Sequence, residues 1–267
     1  MLKNLIKTGF IYLDTHEVLK LDGDIKKIED LLQGQVTSDI SELPNNGAQV
    51  SCLLDQKGFI QADFVLVRIK DKIFITIDKS LSENFKNQLN QFTQFYKVEI
   101  KSTDLLVKAN ISSNNLNNDQ FFTYYRHGEF MLGIEICDAI NKEEMTELTL
   151  LDWKIANKVL LNYLFIKEDI NKYRPNELNY DKSRISFNKG CFRGQEIVAR
   201  VYYLGVNRRE FVTAIISNDN SIEDRLKIHG ETIELSDHKI FNTHIKKDEI
   251  EKNGYGPIKF IRYPDSN

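Results

Sequence analysis

Eight consecutive residues, Lys189-Gly190-Cys191-Phe192-Arg193-Gly194-Gln195-Glu196, set one thiol between two cations, frame it with two glycines and end in a carboxylate. Cationic neighbours favour the thiolate over the thiol, and the thiolate is the form that attacks electrophiles and binds metals. The spacing therefore predicts Cys191 as a reactive thiol tuned by Lys189 and Arg193. Glycine serves where a chain needs unusual dihedrals or a close approach, so Gly190 and Gly194 are expected to shape the backbone around the thiol. A phosphate-binding loop does not fit: Gly190-x-x-x-Gly194 is one residue short of that motif and leads into Gln-Glu, not Lys-Ser/Thr. A cysteine–histidine pair stays open, because such partners meet only in the fold.

The thiol needs a rigid element beside it. Ile197, Val198 and Val201 continue at helical spacing as far as Gly205, which predicts a helix starting after Gly194 with Gln195 and Glu196 in its first turn. A carboxylate there complements the helix dipole, and the amides of the 191–194 loop are candidate donors to an anion or a polar ring edge. Between Lys182 and Arg209 seven cations (Lys182, Arg184, Lys189, Arg193, Arg200, Arg208, Arg209) meet one acid, Glu196. Two readings of this local positive surface stay open, a site for a small polyanion and a solvated basic face. Long basic tracts with interleaved aromatics are missing elsewhere, so direct nucleic-acid binding is not expected.

Upstream, Phe10–Leu13 and Val18–Leu21 read as short strands. Asp24 is placed to cap a helix bearing Ile25, Ile28, Leu31 and Leu32, with Gly34 as its stop. Alternating apolar residues at 48–54 and 60–66 around Asp55-Gln56-Lys57-Gly58 predict a hairpin. A strand at Lys72–Ile77 and a helix with Leu81, Phe85, Leu89, Phe92 and Phe95 on one side follow. The asparagine-rich stretch Asn110–Asp119 reads as an exposed loop, and Phe121–Tyr125 and Phe130–Ile136 as strands turned at 126–129. Leu150–Val159 reads as a helix. After Gly205, short strands at Phe211–Ile216, Thr232–Leu235 and Ile258–Ile261 predict a β-rich unit, with Ser217–Asp224 as a loop. The boundaries expected are a first α+β unit at 1–105, a second at 106–205 and a C-terminal β unit at 206–267.

At 267 residues, 41% hydrophobic, 28% charged and with a net charge of −3, the chain has ordinary globular composition and no global bias toward a polyanionic partner. Lysines interrupt the apolar residues of the N-terminus, which does not read as a signal peptide. No run approaches the roughly 18 apolar residues of a membrane span. A cytoplasmic protein without membrane contact is expected. Cys52, Cys137 and Cys191 lie far apart without a C-x-x-C pair, so neither a disulfide framework nor a metal site is predicted. Cys52 and Cys137 fall in strands and read as structural thiols. His127, His229, His238 and His244 read as scattered, not as ligands.

These residues carry a resemblance. Lys189, Gly190, Cys191, Phe192, Gly194, Gln195 and Glu196 match all seven specified positions of the signature of the YgfZ-type family of folate-binding proteins, relatives of the glycine-cleavage T protein. Leu32-Gln33-Gly34-Gln35-Val36-Thr37-Ser38-Asp39 resembles a second family segment. Lys57-Gly58, Pro175–Asn179, Arg200 and the run Gly205–Arg209 extend the similarity. The resemblance implies a three-lobed α+β fold around a central channel for tetrahydrofolate, with a C-terminal β-barrel, reduced here because the unit is short. It implies Gly190, Phe192, Gly194, Gln195, Glu196, Arg200, Thr37 and Asp39 around the cofactor and Cys191, Lys189 and Arg193 as the chemical group. The function implied is that of an accessory factor for assembly or repair of iron–sulfur clusters in selected enzymes, including those of tRNA modification. Its partners are then iron–sulfur client enzymes or assembly proteins.

Two positions depart from the T-protein pattern. Those enzymes carry an acidic pair after the glycines of the hairpin, whereas this chain reads Lys57-Gly58-Phe59-Ile60-Gln61-Ala62, with the next acid at Asp63. Ala156 in Trp153-Lys154-Ile155-Ala156-Asn157 stands where relatives carry a glutamate that meets a pterin. Folate-dependent aminomethyl transfer and a non-catalytic docking scaffold are the alternatives to the accessory role.

Overall fold

A computed structural model of the chain describes residues 5–113, 120–140, 145–205, 209–220, 226–251 and 257–263. β1 (Gly9–Tyr12) and β2 (His16–Asp22) fall where the apolar runs predict them. In α1 (Ile25–Gln35) the Asp24 carboxylate accepts from the Lys27 amide, the predicted cap, and the helix runs one residue past Gly34. β3 (Gly47–Leu54) and β4 (Ile60–Ile69) form the predicted hairpin, and β5 (Lys72–Asp78) leads into α2 (Lys79–Tyr96). With β6 (Glu99–Ser102) they complete an antiparallel five-stranded sheet of order β3-β4-β5-β2-β6.

Both faces of this sheet are covered. Leu19, Leu66 and Ile75 pack under α1 and α2, where Phe64 meets Phe85 edge-on at 5.0 Å. Their neighbours Val18, Val67 and Phe74 point the other way, as strand alternation requires, into a second core with Val107, Ala109 and Leu132. The predicted α2 stripe fails at one position: Leu81, Phe85 and Leu89 are fully buried, whereas Phe95 is 78% exposed. At 100° per residue Phe95 has rotated off the stripe that Tyr96 continues.

The second sheet, of order β1-β7-β9-β8, joins the N-terminal strand to β7 (Leu106–Ser113), β8 (Phe122–His127) and β9 (Phe130–Cys137). The predicted loop at Asn110 is overturned, because β7 continues through it and Asn110 is buried. It pairs with Gly133, where a Cβ would lie 2.2 Å from the Asn110 side-chain oxygen, so glycine makes the room that lets a polar residue stay in the strand. Residues 114–119 of that stretch lie outside the described residues.

α3 (Leu150–Val159) opens on a reciprocal cap between Thr149 and Asp152. α4 (Gln195–Leu204) is the helix predicted after Gly194. The third sheet has the order β11-β12-β10-β13, built from β10 (Arg209–Ser217), β11 (Ile228–Glu234), β12 (His238–Lys246) and β13 (Lys259–Ile261), with a short α5 (Lys247–Glu251) between the last two. β12 was not predicted, and among the described residues the sheet is open, with β11 and β13 at its edges, so closure into the expected barrel is not observed. Residues 206–208 and 221–224, parts of the post-signature run and of the predicted loop, lie outside the described residues. The architecture is mixed α and β with three antiparallel sheets. Among the described residues no helix is long and apolar enough to cross a membrane.

Candidate functional site

The segments that carried the resemblance, far apart in sequence, converge. Lys189 is buried, and its ammonium donates to the carbonyl oxygens of Val36 at 2.8 Å and Ser38 at 2.7 Å. The Arg193 amide donates to the Gly34 carbonyl at 3.2 Å, and the Ser186 amide to the Thr37 carbonyl at 3.0 Å. Thr37, fully buried, donates its hydroxyl to the Arg184 carbonyl at 2.7 Å and accepts from the Cys52 amide at 3.0 Å. The hairpin turn closes the third side. Gly194 sits at φ +79°, where a Cβ would meet the Asp55 carbonyl at 2.5 Å, and Gly58 at φ +77° faces Ile197 of α4. Gly190 has open space around it and no left-handed dihedral, so of the two framing glycines Gly194 is the one the backbone requires.

This junction presents Cys191 to solvent, between the anchored Lys189 and the buried ring of Phe192. The guanidinium of Arg193 is spent on Gln88, reaching its side-chain oxygen at 2.7 Å, and burial pulls its pKa down. Burial likewise lowers Lys189 to about 8, against the pull of Asp39. The amides of Phe192, Arg193 and Gln195 already donate within the fold, to Gln195 Oε1, Gly34 O and Phe192 O, so the loop does not offer them to an anion. The positive surface also shrinks: Arg184 and Lys189 are interior groups, Arg208 lies outside the described residues, and Arg200 remains exposed on α4. Glu196 is exposed and Gln195 half-buried. Cys52, by contrast, is fully buried with its thiol pushed up to about 12, and Cys137 is half-buried at the end of β9.

A second feature lies where the three sheets meet. A cavity of about 330 Å³, inside the size range of small-molecule sites, draws its wall from β2, β3, β4, β5, β8, β9, α3, β11 and β12. Trp153, Tyr124, Leu164 and Phe165 give it apolar surface, and Asp63, Arg184, Asn162, Thr76 and Lys158 give it polar groups. Arg184 is clamped by Asp63 at 2.6 and 3.1 Å and donates to Asn162 at 2.7 Å, while Tyr180 donates to Asp63 at 2.8 Å and stacks under the guanidinium at 3.7 Å. Burial alone would lower the arginine's pKa, but the Asp63 carboxylate and Tyr180 together more than offset it and the net shift is upward. The Thr76 hydroxyl is buried at this wall and has no hydrogen-bond partner among the described residues. An orphaned buried hydroxyl costs about 1–3 kcal/mol, and a ligand's polar edge is one way to recover it.

A surface groove of about 450 Å³ lies alongside and shares Val50 and Arg184 with the cavity wall. Asp39 lines this groove, its carboxylate held low chiefly by the Ser41 hydroxyl. None of Lys189–Glu196 lines either concavity, nor do Thr37 and Arg200. The departures noted in the sequence also resolve. Asp63 lies two residues beyond Gln61 in β4 and reaches the cavity. Ala156 is fully buried in the second core, and the face of α3 that reaches the cavity carries Leu150, Trp153, Lys154 and Lys158.

Sequence reasoning missed Asp63, Asn162, Thr76 and Lys158, and it placed Arg184 on the surface. It also read the histidines as scattered, yet Tyr173, His229 and His244 form a chain. The Tyr173 hydroxyl lies 2.9 Å from His229 Nδ1, His229 Nε2 lies 2.8 Å from His244 Nδ1, and His244 Nε2 donates to the Glu177 carbonyl at 2.7 Å. Because a carbonyl only accepts, the chain is complete with both imidazoles neutral. Among the described residues no cluster of three metal-ligating side chains occurs.

No protein-family model matches the chain. The "tRNA-modifying protein YgfZ" of Vibrio atlanticus is 30% identical over 230 residues, covering 75% of this chain and 69% of the relative. Proteins of that name from Aliivibrio fischeri and Photobacterium profundum are 30% and 29% identical, covering 67% and 77% of this chain and 62% and 69% of their own lengths. The chain thus spans about two thirds of these relatives. The crystal structure of the glycine cleavage system aminomethyltransferase T from Bartonella henselae matches with a TM-score of 0.61 at 13% identity, over 92% of this chain and 81% of that one, which is a likeness of fold. The chain belongs to the YgfZ family.

Proposed function

We propose that the chain binds a reduced folate, tetrahydrofolate, in the cavity between its three sheets and acts as an accessory factor for iron–sulfur enzymes, including those that modify tRNA. The observation that carries this reading is the cavity itself. Its size, its aromatic wall and a buried Thr76 hydroxyl without a partner fit a flat ligand with a polar edge. Thr76, whose hydroxyl has no partner among the described residues, is the group suited to a pterin's polar edge, on a wall that the Asp63–Arg184–Asn162 network holds rigid. Bound there, a tetrahydrofolate would supply a one-carbon carrier or an oxidisable ring. The chain's own residues orient it and exclude water.

Cys191 is the chemical group in this reading, carried on an anchored strap outside the cavity where a client protein reaches it. Lys189 and Arg193 act by fixing that strap, and Phe192, Gly194 and Gln195 hold its shape. One thiolate does not fill the usual four-thiolate shell of a cluster, so the role is contact with a client's cluster or its damaged ligand, not storage. Aminomethyl transfer is the weaker reading, because the carboxylate at the cavity is spent on Arg184 and Tyr180 instead of standing ready for a transferring amine.

The test is genetic. Deleting the gene is expected to lower tRNA methylthiolation under oxidative stress. The wild-type gene restores it, and Cys191→Ala does not, although the variant protein accumulates normally. Full restoration by Cys191→Ala would remove the thiol from the mechanism.

A further inference from the structure

Lys158 sits in the last turn of α3, 8% exposed, and lines the cavity. Its ammonium donates to Asn242 Oδ1 at 3.0 Å, and the Asn242 amide is turned the right way by donating to Thr213 at 2.9 Å. That is a neutral partner. Among the described residues Lys158 has no carboxylate within ion-pair distance. The carboxylate on this side of the cavity, Glu231, is spent on Lys154 at 3.0 Å. Buried lysines are rare unless paired, and a buried charge without a counter-ion costs several kcal/mol. Burial accordingly pulls this amine down to about 8, with Glu231 opposing and Lys154 assisting. Across the cavity, Asp63 and Arg184 neutralise one another, and His16, Asp78, Tyr124 and Tyr163 complete the titratable groups of the wall.

We infer that Lys158 is the receptor for an acidic group of the cavity's ligand, so that the site takes a molecule with a hydrogen-bonding ring at the Asp63 end and a carboxylate at the α3 end. The ligand supplies the counter-ion that the fold withholds. Nothing else at that end calls for an anion, and the charge-assisted bond so formed is of the strong kind. The inference deepens the folate reading, since it names which end of such a ligand meets which wall.

It also couples binding to protons. A carboxylate beside Lys158 favours the ammonium and raises its pKa, so at pH 8, where the amine is half-protonated without ligand, binding takes up a fraction of a proton. Well below pH 8 the lysine is charged in both states and no uptake occurs.

The experiment uses the full chain and three probes followed by NMR and calorimetry: tetrahydrofolate, its acidic fragment 4-aminobenzoyl-glutamate, and neutral 6-methyltetrahydropterin. Lys158→Gln is expected to weaken the acidic fragment by about 10–100-fold, the loss of one hydrogen bond to a charged group, and to leave the neutral pterin unchanged. Lys158→Arg keeps the charge and is expected to recover most of the affinity, which guards against a folding defect in the glutamine variant. The wild type is expected to show a buffer-dependent heat at pH 8 that Lys158→Gln lacks. If the acidic fragment fails to bind the wild type, or loses nothing in Lys158→Gln, or if the neutral pterin loses as much, the inference is overturned. If tetrahydrofolate fails while the acidic fragment binds in a Lys158-dependent way, the folate reading falls and the acid site stands.

Discussion

Arg184 and Asp63, 121 residues apart in the chain, meet in a two-pronged ion pair at 2.6 and 3.1 Å, with the arginine 3% exposed. The pair ties β4 to the strap that precedes the signature, and it sits where the cavity and the outer groove share a wall. Removing one partner leaves the other buried and uncompensated. Asp63→Asn is therefore expected to cost about 3–5 kcal/mol of stability, read as a lower urea midpoint. A loss below about 1 kcal/mol would show that the pair is not desolvated.

Two of the three thiols, Cys191 and Cys52, are expected to separate in reactivity. Cys191 is exposed, whereas Cys52 is fully enclosed with its pKa pushed up to about 12. Iodoacetamide at neutral pH should alkylate Cys191 in the native protein and reach Cys52 only after unfolding, as mass spectrometry of the peptides will report. Equal rates for both would contradict the burial of Cys52.

Lys189 is expected to act on stability as much as on chemistry. Lys189→Met strands the Val36 and Ser38 carbonyls, each a buried acceptor whose donor is gone. The expected cost is about 2–6 kcal/mol, from about 1–3 kcal/mol for each of the two orphaned groups. An unchanged thermal midpoint with lost function would instead place Lys189 in the chemistry alone.

The Tyr173–His229–His244 chain sets an acid limit. Burial lowers both histidines, His229 to about 3, below their ordinary value. The unfolded chain then binds more protons than the native one as pH falls below about 6.5, so stability is full above that pH and is lost beneath it. The expected loss is about 2 kcal/mol from His229 by pH 5, with His244 adding to it in the same direction, measured by urea unfolding between pH 7.5 and 5. A flat profile over that window would mean that the imidazoles are charged or solvated.

Much of the scaffold was legible in the residues. Asp24, the 55–58 turn and the helix after Gly194 are local signals, and the structure places each where the pattern predicts. β12 was not legible, because Asn242 and Thr243 are polar yet buried and His244 packs on Tyr173's neighbours, so alternation is lost. Asn110 misled for the related reason that its space comes from Gly133, on another strand. The signature was visible as a motif but not as a joint: only the fold brings Lys189 to Val36 and Gly194 to Asp55. The cavity was the least legible part. Asp63, Thr76, Asn162, Lys158 and Arg184 come from separate elements, and each alone reads as an ordinary polar residue of a strand, helix or loop.

The most direct measurement is calorimetric titration of tetrahydrofolate into the protein and into a Trp153→Ala variant, whose aromatic wall is removed. The account predicts saturable binding at one site per chain, weakened at least about tenfold in the variant by the lost ring burial. Absence of saturable heat with the wild type, or equal affinity in both proteins, would contradict a folate in the cavity.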